Sequence, residues 1–400
     1  MASSVRSGRP YDLVLFGATG FTGQRVARYL ADAAPPTLRW AIAGRNAARL
    51  EALKARLAAN DGRRPPIGVL HAAIDDPDDP DDADTLRQMA ASGRVLLNTA
   101  GPFLLHGEPV VRACVDAETD YADLSGEAGF VRRIEASLAE AAARKGVRLV
   151  PCCGFEAIVA DLGVLHAIER LAPVDEPVEI RAYVRVGGGL SGGSLQTALN
   201  ALGDLGNAML PPPNPANTAH GRKVRSLRPS FGKHAPLDGW VAPMRTIDHD
   251  IVLRSAAALP AYGRDFGYAH HVVFPGLGQM LTVAGRIAAM ALCAQWPATR
   301  RWLQARLRQP GEGPSEEEIA QGWFNVRFEA RCGHRRLVTE VSGGDPGYGD
   351  TAKMLAQAGL CLLDDAEARH PGGLLTPAQA MGPALIGRLD DAGIRFRVLE

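Results

Sequence analysis

Leu13 to Gly23 reads LVLFGATGFTG, and the order of residue types within it decides the fold. Four apolar residues, Leu13 to Phe16, make a short buried strand. Gly17, Gly20 and Gly23 follow at three-residue spacing, and an amphipathic helical pattern runs from Gly20 to Asp32. Gly17 allows a tight turn, Gly20 lets the backbone approach a pyrophosphate, and Gly23 allows close helix packing. The helix start adds unbonded N–H groups and the positive end of a dipole. Strand, glycine triplet and helix in that order predict a dinucleotide site, with Ala18, Thr19, Phe21 and Thr22 completing its turn.

Around this segment, short apolar runs alternate with helical patterns for the first 150 residues. Strands are predicted at Asp12–Phe16, Arg39–Ala43, Gly68–His71, Arg94–Asn98, Tyr121–Leu124 and Arg148–Pro151. Helical patterns cover Gly20–Asp32, Ala47–Asn60, Asp84–Ala91, Pro109–Glu118 and Ala128–Lys145. Such alternation is the signature of βαβ units, so the fold class is α/β with a doubly wound parallel sheet. At the end of the second strand, 22 residues beyond Gly23, a site for NAD would place a carboxylate on the ribose 2′-hydroxyl. The chain has Arg45 there, followed by Asn46. A guanidinium matches a 2′-phosphate, so NADP(H) is the expected cofactor.

Asn98, Thr99, Ala100, Gly101 and Pro102 end the fourth strand, where the cofactor's ribose and nicotinamide pass in a doubly wound sheet. The fifth strand runs into Tyr121-Ala122-Asp123-Leu124-Ser125-Gly126-Glu127 and the sixth into Pro151-Cys152-Cys153-Gly154-Phe155-Glu156. Tyr121 or Cys153 is a candidate to give a proton after hydride transfer, with Asp123 among the acids that set its pKa. The competing assignments are a core tyrosine, turn or cap roles for Asp123 and Ser125, and small buried cysteines.

Hydrophobic residues make up 46% of the 400 positions and charged residues 22%, which excludes a disordered chain. Forty-four basic residues balance forty-four acidic ones, so no global field draws the protein to nucleic acid. Six cysteines lack the spacing of a disulfide framework or a zinc site, and Met1–Pro10 has no signal-peptide apolar region. A cytoplasmic location fits. His270 and His271 are adjacent and point apart on a strand, so no metal is expected. The seven aspartates of Asp75–Asp84 read as a solvated loop.

From about Asp161 the composition changes. A strand-like run at Glu179–Val186 ends in Gly187, Gly188 and Gly189. Pro211, Pro212 and Pro213 then open an irregular stretch reaching Pro243. The segment GLGQMLTVAGRIAAMALCAQW is nearly apolar, but Arg286 and three glycines weigh against a membrane span. A buried helix, a subunit contact and a helix lying on a membrane are its readings, so peripheral membrane contact through 276–296 and a homodimer are both left open as partners. A charged bridge at Glu312–Glu318 and a strand at Asn325–Arg331 follow. A turn-rich Gly343–Gly349, suited to a lid or hinge, precedes a helix from Thr351. Two parts are expected from this pattern: a nucleotide-binding domain over 1–160 and a second domain for substrate or oligomerisation over 161–373.

Taken together, GATGFTG (17–23), AGRN (43–46), NTAGPF (98–103), YADLSGE (121–127), CGFEAIVADLG (153–163) and GDPGYGDTAKM (344–354) resemble the saccharopine dehydrogenase-like oxidoreductases, in particular their trans-acting enoyl reductase branch. The resemblance covers nearly the whole chain. It implies a Rossmann domain with a nicotinamide cofactor, a second α/β domain over the cleft, and a C-terminal segment at 374–400 that packs back on the first domain. It also implies hydride transfer to an apolar activated substrate, such as an α,β-unsaturated acyl thioester, free or carried by another protein. The family's sixth-strand segment often reads GFDS-I-PSD. Here Glu156, Ala157, Val159 and Ala160 remove its Asp, Ser and Pro. Arg181, Arg185, Arg222 and Arg225 supply only part of the basic cluster that a saccharopine-forming enzyme needs for its carboxylates. C–N bond oxidoreduction is therefore the second reading, and a dinucleotide-binding, lipid-associated scaffold without turnover the third.

Overall fold

The computed structural model describes residues 8–57, 65–74, 80–187, 222–244, 246–293, 296, 313–364 and 371–400. The chain begins with β1 (Tyr11–Phe16), α1 (Phe21–Ala33), β2 (Trp40–Gly44), α2 (Ala47–Leu57), β3 (Gly68–His71), α3 (Pro80–Ser92), β4 (Gly93–Asn98), α4 (Phe103–Asp116), β5 (Asp120–Asp123), α5 (Ala128–Lys145) and β6 (Arg148–Val150). Next come α6 (Phe155–Leu171), β7 (Val178–Gly187), β8 (Lys223–Ser226), β9 (Gly232–His234), β10 (Gly239–Pro243), α7 (Ile247–Ala258), β11 (Asp265–Phe274), α8 (Leu277–Cys293), α9 (Glu316–Ala320), β12 (Trp323–Cys332) and β13 (Arg335–Gly343). The last elements are α10 (Gly349–Asp364), β14 (Gly373–Leu374), α11 (Pro377–Ala380), α12 (Gly382–Asp391) and β15 (Arg395–Val398).

The first compact unit comprises Met1–Gly154 and Thr351–Leu389. Its sheet has the order β14-β6-β5-β4-β1-β2-β3, with every pairing parallel. The strand order reverses at β1, between β2 and β4, which makes the carboxyl ends of β1 and β4 the switch point where ligands bind in such sheets. Alternation along β1 sends Val14 and Phe16 into a core with Met89 of α3, Val110 and Val111 of α4, and Phe130 and Ile134 of α5. Leu13, on the opposite face, lies under Gly359 of α10. A Cβ at 359 would come within 2.9 Å of Leu97 and 3.1 Å of Leu13, so this glycine lets the helix lie close to the sheet. Asp120 and Arg148, both buried, tie β5 to β6: the Asp120 carboxylate accepts from Arg148 N at 2.9 Å, Nε at 2.9 Å and Nη2 at 2.6 Å.

The second unit comprises Phe155–Asp350 and Asp390–Glu400. Its sheet runs β15-β13-β12-β7-β11-β10-β9, with β8 pairing β11. β12 alternates strictly: Phe324, Val326, Phe328 and Ala330 are buried, while Asn325, Arg327 and Glu329 lie on the partly open face. Gly163 of α6 packs on the buried face, where a Cβ would sit 2.3 Å from the Phe328 ring.

Several expectations need correction. Helix α4 starts at Phe103, with Pro109 inside it, because the Glu127 carboxylate accepts from the N–H groups of Phe103 and Leu104 at 2.9 and 2.8 Å. Helix α3 takes up Pro80–Asp84 from the aspartate run, where Asp81 and Asp82 complement its positive end; residues 75–79 lie outside the described residues. The stretch before Pro243, expected to be irregular, holds β8, β9 and β10 in its described part. These strands are three to five residues long, too short for alternation to show, and form by pairing with β11 and each other. Gly188, Gly189 and Pro211–Pro213 lie outside the described residues.

The domain limits move as well. The first boundary falls after Gly154, because all of α6 belongs to the second unit, and the chain re-enters the first unit at Thr351 with α10. Residues 390–400 do not return to the first domain: β15 pairs antiparallel with β13, Phe396 opposite Val341, taking up the open edge of the second sheet.

Candidate functional site

The glycine turn sits at the switch point. Gly17 N and Ala18 N donate to Ala43 O at 3.0 and 3.3 Å, and Gly20 N donates to Gly17 O at 3.0 Å. Gly17 has φ +77°, and a Cβ there would lie 2.8 Å from both Ala100 N and Thr99 Oγ1. At Gly23 a Cβ would lie 2.2 Å from Gly17 O, so both residues are held to glycine by neighbouring atoms. Gly20 differs. A Cβ there would meet only Gly17 O, at 3.2 Å, leaving the outer side of the turn open.

Gly20 is also the N-cap of α1, with no side-chain cap and no acid in the first turn. An open backbone cradle beside an uncapped positive helix end fits a pyrophosphate. Thr19, Phe21 and Thr22 are partly exposed along this rim, and Ala18 is buried beneath it. Arg45 and Asn46 are exposed just beyond β2. His71 Nε2 lies 3.1 Å from Arg45 O, and Asn46 Oδ1 accepts from Arg49 N at 2.9 Å, which opens α2.

Across the switch point, Thr99 N and Oγ1 both donate to Phe16 O, at 3.0 and 2.8 Å, which fastens the turn after β4 to the end of β1. Asn98 shapes that turn from below. Its Oδ1 accepts from Ala100 N at 2.9 Å and its Nδ2 donates to the Tyr121 oxygen at 3.1 Å. The Tyr121 hydroxyl donates to Asp123 Oδ2 at 2.8 Å, while Asp123 Oδ1 accepts from Ser125 N at 2.8 Å and Cys152 N at 2.9 Å. Gly101 is exposed, and Pro102 precedes α4, its carbonyl accepting from His106 N at 3.1 Å.

Asn98, Tyr121 and Asp123 are each 0% exposed. Burial, reinforced by the Asp123 charge, pushes the Tyr121 hydroxyl well above the ordinary phenol range. Burial also raises the Asp123 carboxyl, against the hydrogen bonds from Ser125, Cys152 and Tyr121. Cys153 is buried; its N donates to Asp123 O at 2.6 Å and its Sγ to Val150 O at 3.3 Å. Cys152 takes φ +63°, a conformation favoured by glycine, and sets its Sγ 3.6 Å from Ser125 Oγ. The expected cluster forms at the ends of three strands, but beneath the surface, with the Tyr121 hydroxyl used both as donor and as acceptor.

Two residues escaped the sequence reading. Glu127 bridges the start of α4, and its signal was an acid immediately before a helix. Asp248, in the second unit, is buried at the start of α7 and accepts from the Thr246 hydroxyl. Burial pushes its carboxyl up to about 8, and the charge of Glu156 adds to the rise, so it is mostly a neutral acid at pH 7. Nothing local in the sequence marks this burial.

Elsewhere in that unit, His270 Nδ1 meets the Tyr268 hydroxyl at 2.8 Å, whereas the His271 ring stacks on Tyr183 and its Nε2 accepts from Ser230 N at 2.9 Å. Asp345 accepts from Tyr348 N and Gly349 N at 2.7 and 2.9 Å, giving the Gly343–Gly349 turn internal bonds. The four arginines weighed as carboxylate ligands have structural partners: Arg181 bonds Arg228 O at 3.0 Å, Arg185 bonds Leu237 O, Arg222 bonds Leu259 O at 2.6 Å and Arg225 bonds Glu179 at 3.1 Å.

Residues 13–150 match the family model of the saccharopine dehydrogenase NADP-binding domain. The chain is 33% identical to a trans-acting enoyl reductase of Mycobacterium tuberculosis over 96% of its own length and 97% of that protein's. It is 27% identical to a saccharopine dehydrogenase-like oxidoreductase of Arabidopsis thaliana, over 98% of this chain and 96% of that one. Among solved structures, the L-glutamate-forming saccharopine dehydrogenase of Saccharomyces cerevisiae aligns with a TM-score of 0.54 at 13% identity, covering 98% of this chain and 100% of that chain; this likeness is one of fold.

Proposed function

From a chain that belongs to the saccharopine dehydrogenase-like family of NADP-dependent oxidoreductases, we propose an enzyme that reduces an α,β-unsaturated acyl thioester. NADPH bound at the glycine turn would supply the hydride for the β-carbon of such a substrate, with a proton going to the α-carbon. The observation that carries this reading is the 33% identity over nearly the full length of both chains to a protein named for enoyl reduction. Structural partners for Arg181, Arg185, Arg222 and Arg225 support it against a substrate bearing several carboxylates.

In this reading the N–H groups opening α1, beside Gly17, Gly20 and Gly23, hold the pyrophosphate. Arg45 meets the 2′-phosphate, with Asn46 shaping the turn beneath it. The Asn98–Pro102 turn lines the path of the nicotinamide ribose. Tyr121 and Asp123 act as positioning residues: they fix Asn98, which fixes Ala100 N, and so hold the turn without meeting substrate.

NADPH oxidation by the purified protein, followed with a panel of enoyl thioesters and separately with glutamate or lysine plus an oxo-acid, tests the proposal. Acceleration by an enoyl thioester alone is the expected result. Acceleration only by the amino-acid pairs moves the assignment to C–N chemistry.

A further inference from the structure

A cavity of about 370 Å³, the size of a small-molecule site, opens on the partly exposed face of the second sheet. Strand register builds its floor. Asn325 and Arg327, two residues apart on β12, share one face; Asn325 stands opposite Arg185 of β7, and Arg327 opposite Glu340 of β13. Asp238, in the turn between β9 and β10, and Trp323, at the start of β12, complete the walls.

Opposite charges that face each other across neighbouring strands ordinarily pair. Among the described residues, however, no ion pair joins Arg327 to Glu340, and the side chains of Asn325, Asp238 and Glu340 make no hydrogen bond. Arg327 Nε is buried without a hydrogen-bond partner, and the carboxylate it approaches, Glu329 Oε1, is 3.8 Å away. Arg185 is tied down, donating to Leu237 O. Polar side chains that converge on one cavity without satisfying one another hold hydrogen bonds in reserve for a ligand.

The chemistry of the lining selects that ligand. Two guanidinium groups and two carboxylates cancel, so the cavity has no net charge with which to draw an anion or a cation. Arg185, Arg327 and Asn325 offer N–H donors, while Glu340, Asp238 and the Asn325 amide oxygen offer acceptors. A hydroxyl both donates and accepts, so it satisfies either kind. Trp323 supplies an aromatic wall: its indole lies on Gly187, where a Cβ would come within 2.1 Å of Nε1, and it is 47% exposed. An aromatic surface beside mixed donors and acceptors matches a ring with C–H groups on its faces and hydroxyls round its edge.

The geometry points to a binding site for a neutral sugar, a hexose-sized ring that stacks on Trp323 and hydrogen-bonds Arg327, Asn325 and Glu340. The site is independent of the reductase reading, since all its residues lie in the second unit and its occupancy is measured without NADPH.

Saturation-transfer NMR of the full chain with the methyl glycosides of glucose, galactose and mannose tests it, with glucuronate, glucosamine and γ-aminobutyrate as anionic, cationic and zwitterionic controls. At least one neutral glycoside is expected to bind with a Kd on the order of 1 mM, more tightly than any control. Trp323→Ala and Arg327→Ala should each weaken that binding at least several-fold, and Trp323→Phe should keep most of it, with thermal midpoints and circular dichroism near those of wild type. Should either alanine variant unfold, Asn325→Ala is read in its place. No binding by any of the three glycosides far above that concentration would overturn the proposal. So would tighter binding of a charged or zwitterionic control, or glycoside binding that all the variants leave intact.

Discussion

Tyr121 and Asp123 stand two residues apart on the same side of β5, and the 2.8 Å bond between the Tyr121 hydroxyl and Asp123 Oδ2 carries hydrogen bonding from the end of β6 to the turn after β4. With both residues wholly buried, the pair holds the backbone that the proposed nicotinamide path follows.

Tyr121→Phe removes one donor and leaves Asp123 Oδ2 short of a partner. Urea denaturation should show a loss of about 1–3 kcal/mol, the cost of an unsatisfied buried polar group. NADPH should bind more weakly, with its KM raised and kcat reduced less than tenfold. A general acid contributes roughly 10²- to 10⁴-fold, so a kcat loss in that range at unchanged NADPH affinity would return Tyr121 to the role of proton donor.

Gly20→Ala and Gly23→Ala separate binding from folding. A methyl at 20 meets only Gly17 O, at a tight 3.2 Å, and points into the open cradle, so its thermal midpoint should fall slightly, far less than at position 23, while NADPH affinity falls at least tenfold by fluorescence titration. At 23 a methyl would lie 2.2 Å from Gly17 O, a backbone atom that cannot move aside alone. That variant should lose both thermal stability and binding.

Arg45→Ala should weaken NADPH binding by about 1.5–3 kcal/mol, the worth of a hydrogen bond to a charged group, and leave NADH nearly unchanged. Calorimetry with both nucleotides reads the difference directly. Equal losses for the two would place the 2′-phosphate elsewhere.

The parallel sheet was legible because its inner strands are buried on both faces and its glycines follow β1 at fixed spacing. Other features depended on partners distant in sequence. Glu127 starts α4 from 24 residues away, so the helix began before the proline that marks its periodic pattern. The strands β8 to β10 carry little pattern of their own, because they are short and take their hydrogen bonds from β11 and, for β9, from β10. In the site, Asn98, Tyr121, Asp123 and Cys153 were readable as residues at strand ends. The depth at which Tyr121 and Asp123 lie was not, since it is set by packing across β4, β5 and β6. Asp248 was missed for the same reason: a surface acid and a buried one look alike until α7 is packed.

Folding keeps a proton on Asp248 that the unfolded chain releases from about pH 4, because the folded-state value is about 8 against 3.8 ordinarily. The folded form therefore binds more protons through this interval. The group's contribution to stability is greatest below about pH 4 and is lost as pH rises towards 8, by about 1.4 kcal/mol per unit. Asp248→Asn removes that slope, so its stability relative to wild type should climb from pH 5 to about 8 and level off above, in urea titrations at each pH. A difference that stays flat with pH would show that the carboxyl ionises normally.

Breaking the Asp120–Arg148 pair strands a charge in the core. Asp120→Ala should cost about 3–5 kcal/mol by equilibrium unfolding. Exchanging both residues for apolar ones of similar volume should recover most of that loss.

Both units are assembled from segments far apart in the chain: residues 351–389 complete the unit whose sheet begins at Tyr11, with β14 adding the last strand, and β15 adds the edge strand of a sheet begun at Val178. During synthesis the nascent chain must therefore wait. When the nucleotide-binding strands have left the ribosome, the surface beneath Gly359, including Leu13 and Leu97, is still bare and stays so through some 200 further residues. Expression of the first 154 residues alone should yield a sticky fragment that recruits chaperones, and translation stalled before Thr351 should leave the whole product dependent on them.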